Sequence, residues 1–170
     1  VLKVLPKDTN KVITLNNLVD QLWKKSHLDS ALVYAEKSLD LAIKLNYPTG
    51  KGNVLTSIGI INAIKGDYPK ALSSMNEALS IFLKLNDQKK IASAYNNLGN
   101  IFEKQGNYTQ ALEHHLKSLK IKEEMKDTLA MASSYNNIGI ILKYKNNYEK
   151  ALEYYNKGLE INIKANNKKS

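Results

Sequence analysis

The sequence predicts an all-α fold, a solenoid of four helix-turn-helix hairpins, and three observations predict it. The dipeptide Ala-Leu recurs at Ala31-Leu32, Ala71-Leu72, Ala111-Leu112 and Ala151-Leu152, an unbroken spacing of forty residues. Within a period the apolar residues keep helical spacing, as Tyr95, Leu98, Gly99 and Phe102 do at i, i+3, i+4 and i+7. Turn formers such as Gln105-Gly106-Asn107 then split the period into two amphipathic stretches. Other columns hold the same phase, among them Leu39, Leu79, Leu119 and Leu159, and the small residues Ser38, Ala78, Ser118 and Gly158.

Residues 1–8 are expected to be a lead-in stub or the end of a preceding helix, because "VLKVLPKDTN" aligns loosely with "LAIKLNYPTG" and the closing "INIKANNKKS". Four repeats follow at 9–47, 48–87, 88–127 and 128–167, with a tail at 168–170. The first has Val19 where the others have Gly59, Gly99 and Gly139, so its helices are expected to pack less typically. In the second, Asp67 is placed to cap a helix that carries Pro69 just inside its start, where a missing N–H costs least. In the third, Asn107 caps a helix presenting Tyr108, Ala111, Leu112, His115 and Leu119. The three glycines are expected to meet Ala71, Ala111 and Ala151 across each hairpin, where a large side chain would pry the helices apart.

Composition narrows the function classes. The chain has 170 residues, 43% of them hydrophobic, and no apolar run long enough to span a membrane. It lacks an initiator Met and a signal-peptide pattern and is read as a segment of something longer. Without cysteine there is no disulfide, thiolate nucleophile or Cys-ligated zinc. The formal charge is +9, yet all 25 basic residues are Lys and they are spread along the chain. That reads as a solvated surface, and no nucleic acid is expected as a partner, since the planar fork of Arg is missing. No phosphate loop, nucleophile with a base or carboxylate pair marks an enzyme, and no cofactor or metal site is expected. Of the three histidines, adjacent His114 and His115 point about 100° apart on a helix, and His115 falls in a core column as a satisfied buried histidine. The run "KIKEEMKD", Lys120 to Asp127, reads as a solvated helix end.

At Tyr95, Leu98-Gly99, Phe102, Ala111 and His115, and again at Tyr135, Ile138-Gly139, Leu142, Ala151 and Tyr155, the chain resembles the tetratricopeptide repeat family. Its forty-residue period is similar to the longer variety found in kinesin light chains, spindle adaptor proteins and bacterial sensor histidine kinases and cyclases. The resemblance implies a right-handed superhelix whose first helices line a concave groove that holds an extended protein or peptide segment. It places Asn17, Asn97 and Asn137 in one groove column, with Asn16, Asn96, Asn136 and Asn100 beside it. That column looks like the asparagine ladder of the O-linked N-acetylglucosamine transferase. Amides suit a peptide backbone because each offers donors and an acceptor. Trp23, Ile60, Ile64, Ile140 and Tyr144 are the apolar members of the same expected face. The family's carboxylate clamp needs basic residues at places that here hold Ser, Thr, Asn and Ile, so a chaperone tail is a poor ligand.

The alternative is a sensory or dimerising region of a bacterial histidine kinase or nucleotide cyclase, with an edge helix forming a homodimer. The lead-in "KDTNKVITLNNL" looks like the entry to such a region. No membrane contact is expected within the segment, and bacterial periplasm and cytoplasm both stay open. Abundant Lys, Asn, Tyr and Ile without Arg also fits an A+T-rich genome, so the asparagine column has a compositional reading too.

Overall fold

Every helix but the last ends because one residue turns left-handed, and that happens every twenty residues. Positive φ angles occur at Ser26, Asn46, Gly66, Asn86, Gly106, Lys126 and Asn146. At the turns of Ser26, Asn46, Gly66, Gly106, Lys126 and Asn146 a backbone N–H reaches five residues back, as Asp67 N–H does to Asn62 O and Asn147 N–H to Leu142 O, both at 2.9 Å. This closes orphan carbonyls and stops the helix. Glycine and asparagine adopt this conformation most cheaply, which gives three of the asparagines a structural role.

The next residue starts the following helix. Asp67, Asp87, Asn107 and Asp127 each accept a hydrogen bond from the backbone N–H three residues on. The expected caps at Asp67 and Asn107 are therefore formed, with Pro69 in the first turn of its helix.

The computed structural model describes residues 8–167; residues 1–7 of the stub and the tail 168–170 lie outside the described residues. The helices are α1 (Thr9–Lys24), α2 (Leu28–Lys44), α3 (Pro48–Lys65), α4 (Tyr68–Lys84), α5 (Gln88–Lys104), α6 (Tyr108–Glu124), α7 (Thr128–Tyr144) and α8 (Tyr148–Asn167). Among the described residues there is no strand. The chain divides into two units, Val1–Asn86 with α1–α4 and Asp87–Ser170 with α5–α8. Hairpins pair α1 with α2, α3 with α4, α5 with α6 and α7 with α8, while α2 packs on α3 and α6 on α7.

In the first unit Val19, Ala31, Ala35, Val54 and Ile61 are wholly buried together, with Trp23 packed against them. In the second, Leu119, Ile138, Leu142 and Ala151 form the corresponding cluster. Burying a Leu or Ile side chain in this way contributes roughly 2 kcal/mol.

The glycine column packs differently from the sequence expectation. A β-carbon on Gly99 would lie 2.6 Å from the His115 ring, and one on Gly139 2.6 Å from the Tyr155 ring. One on Gly59 would meet Met75 at 3.0 Å. The glycines therefore make room for residues 75, 115 and 155, one turn beyond the expected alanines, though Gly59 also approaches the Ala71 carbonyl. This explains the first repeat. There Val19 replaces the glycine and Ala35 fills the opposing column, so the volumes trade places and both residues are fully buried.

Candidate functional site

In the first unit the expected groove residues mostly serve the packing. Asn16 is buried, donates to the Gly50 carbonyl (3.1 Å) and accepts from Ser38 Oγ (2.6 Å), so it ties α1, α2 and α3 together. It is not on an open face, because its amide satisfies buried polar groups. Ser57 donates to Asp20 Oδ1 (2.7 Å), which also accepts from the Trp23 indole N–H (3.1 Å). Trp23 and Ile60 are half-buried, while Asn17 and Ile64 are exposed.

In the second unit the face is built on α5 and α7. Asn137 Nδ2 donates to Asn96 Oδ1 at 3.0 Å, so one amide pair bridges the two first helices. Asn97 and Asn100 are half-buried. Asn136 is exposed but leans toward α8, where Gly158 gives its Oδ1 room. Tyr144 is exposed and stacks on Tyr108 with ring centres 4.9 Å apart. Glu103 is half-buried, and loss of water raises its carboxyl above the ordinary value.

The structure adds residues that the sequence reading passed over. A cavity of about 240 Å³ opens beside Asn96, lined by Lys89, Ser93, Lys122, Met125 and Asp127. Lys122 and Met125 are half-buried, so the run Lys120 to Asp127 is not wholly a solvated helix end. The cause is register: His115, Ser118 and Lys122, at i, i+3 and i+7, share the α6 face that packs on α5. Ser118 Oγ donates to the Ala92 carbonyl at 2.8 Å.

His115 is fully buried as expected, yet neither ring nitrogen has a hydrogen-bond partner. Burial, with the nearby charges of Lys122 and His114, lowers its pKa to about 4, so the ring is neutral. His114 stacks on Phe102 at 5.2 Å and on Tyr95 at 5.9 Å, and burial lowers its pKa as well. Among the described residues no group of three His, Cys, Asp or Glu could hold a metal, and no helix is long and apolar enough to cross a membrane.

Residues 90–164 match the family model of the tetratricopeptide repeat. No curated protein matches the chain significantly. Among solved structures, BtubC from P. vanneervenii is similar with a TM-score of 0.84 and 18% identity, over 98% of this chain and 68% of that one. A Rap protein complexed with competence and sporulation factor gives 0.85 and 21%, over 93% of this chain and 44% of that one. A signal transduction ATPase with numerous domains from Pyrococcus horikoshii, described with a tetratricopeptide repeat sensor, gives 0.84 and 21%, over 96% and 26%. The chain thus spans less than half of the latter two proteins. Residues 90–164 belong to the tetratricopeptide repeat family, and that family's fold, an all-α solenoid of helix hairpins, extends over the chain.

Proposed function

We propose that the chain is a non-catalytic protein-interaction module in which the face of α5 and α7 holds an extended segment of a partner. The observation that carries this reading is the amide pair Asn96–Asn137. Their mutual bond uses one donor and one acceptor and fixes both side chains. The remaining N–H groups and the Asn137 carbonyl are left for a peptide backbone. Each such bond contributes about 1 kcal/mol, enough for several to orient a segment while apolar contacts discriminate. The Rap structure, complexed with competence and sporulation factor, supports a binding role for this fold.

The cleanest test uses Asn97, whose side chain makes no hydrogen bond in the structure. Peptides selected on the immobilised chain from a displayed library are measured by calorimetry. Asn97→Ala weakens binding about fivefold with an unchanged melting midpoint, and Asn96→Ala with Asn137→Ala weakens it further at a small cost in stability. Unchanged affinity in all three variants contradicts the reading.

A second reading, a sensory or dimerising region, is favoured by α8. Leu152, Leu159 and Ile163 are 60%, 55% and 50% exposed. In α6 the equivalent Leu112 and Leu119 pack with Ile138 and Leu142 of α7. An exposed apolar row suits contact with another helix, and a second copy of this chain is the partner we propose. Concentration-dependent dimers in sedimentation that Leu152→Glu abolishes would establish it, and a monomer at every concentration would remove it.

A further inference from the structure

The cavity beside Lys122 exists because one column changes character. The residues at this place in α2, α4, α6 and α8 are Ala42, Phe82, Lys122 and Asn162. In the α3–α4 hairpin Phe82 is 3% exposed, and its ring lies where a β-carbon on Gly52 would come within 2.5 Å. The aromatic ring occupies the space that Gly52 leaves. In the α5–α6 hairpin Lys122 stands opposite Ala92, and a flexible stem does not fill what a ring fills, which leaves the cavity of about 240 Å³.

Lys122 is half-buried, and its ammonium is tied to a neighbouring helix. Lys122 Nζ donates to Ser134 Oγ at 2.6 Å, and Ser134 is fully buried on α7. Among the described residues no carboxylate lies within ion-pairing distance of it. Asp127 contributes a favourable charge, but its Oδ1 accepts from the Ala130 N–H. A half-buried ammonium whose one partner is a neutral hydroxyl is under-compensated, and burial lowers its pKa accordingly.

The other polar groups at the cavity complete a donor set. Asn96 has given its Oδ1 to Asn137 and keeps its N–H groups. Lys89 and Ser93 stand at the rim. Two ammonium groups against the single carboxylate of Asp127 leave one positive charge. An acceptor with one negative charge satisfies the donors and the charge together.

We propose that this cavity is a carboxylate-binding subsite, in which Lys122 and Asn96 take the side chain of an aspartate or glutamate on the bound partner segment. The proposal rests on the interaction reading for the source of the carboxylate and adds the chemistry that the segment must carry. It differs from capture by the first helices alone, since the charged residue comes from the end of α6.

Lysine side-chain NMR of the 170-residue chain tests it. The probes are a capped glutamate tripeptide, its glutamine counterpart and inorganic phosphate. The glutamate peptide moves the Lys122 Nζ signal and raises its pKa toward the ordinary lysine value, while the glutamine peptide leaves it in place. Lys122→Met lowers affinity for the glutamate peptide about tenfold or more, and Lys89→Met lowers it less. Ser134→Ala keeps the Lys122 response, which guards against misreading an ill-folded Lys122→Met. Equal response to both peptides, a stronger response to phosphate, or a silent Lys122 overturns the subsite. If library-selected peptides still shift α5 and α7 while Lys122 stays silent, the subsite alone has failed. If none shifts α5 or α7, the interaction face has failed with it.

Discussion

The hairpins α3–α4 and α5–α6 share one backbone plan and carry opposite chemistry along their seams. In α4 the seam is Met75, Ala78 and Phe82, all buried, set against Gly59 and Gly52. In α6 the same three places hold His115, Ser118 and Lys122, set against Gly99 and Ala92. The first seam is close-packed and apolar. The second contains a buried imidazole without partners, a serine bonded to a carbonyl, and a half-buried ammonium beside a cavity. Small residues on the first helix and complementary volume on the second are thus what the fold requires, and polarity along the seam is free to vary. The α5–α6 hairpin places its polar groups beside Asn96.

The comparison breaks most severely if the volume rule is violated. Gly99→Val drives methyl groups into the buried His115 ring and costs about 3 kcal/mol or more of unfolding free energy in urea titration. Adding His115→Ala recreates the Val19 and Ala35 arrangement of the first repeat and recovers most of the loss. No recovery would show that volume exchange does not explain the first repeat.

A smaller effect comes from acid. The folded state holds His115 at about 4, below the unfolded value of about 6.5, so it disfavours the charged ring. This contribution to stability is fully present above about pH 6.5 and is lost as pH falls to about 4, a change on the order of 3 kcal/mol. Unfolding midpoints measured across that window should fall for the native chain and fall less for His115→Met. At neutral pH the same variant gains roughly 1–2 kcal/mol, because two orphaned ring nitrogens are replaced by a side chain already accommodated at Met75.

The least severe change is Ser118→Ala. The hydroxyl's bond to the Ala92 carbonyl contributes about 1 kcal/mol, and Ala78 in α4 shows that the place accepts alanine. A loss above about 2 kcal/mol would mean that Ser118 does more than bond that carbonyl.

The repeat itself was legible because its apolar columns and the caps Asp67 and Asn107 keep one phase, and periodicity needs no knowledge of partners. The twenty-residue turn register was hidden, since the left-handed place holds Ser26, Lys126 and asparagines as well as Gly66 and Gly106. Which column faces which glycine could not be read from spacing, because it depends on how the two helices cross. The asparagines expected on one face fall in different surroundings. Asn16 and Asn137 share a residue type and a neighbourhood, but one is buried against Ser38 and Gly50 and the other joins Asn96. Lys122 escaped notice inside a charge run, because a lysine's burial is decided by what its neighbours leave unfilled.

The most direct measurement transplants one seam onto the other. The variant Ala92→Gly, His115→Met, Ser118→Ala and Lys122→Phe gives α5–α6 the seam of α3–α4, and its urea midpoint is compared with that of the native chain. The account predicts a more stable protein, by about 2 kcal/mol, whose α5 and α7 signals no longer distinguish the glutamate from the glutamine peptide. A variant that is less stable, or that still prefers the glutamate peptide, would contradict the claim that this hairpin exchanges packing for a polar site.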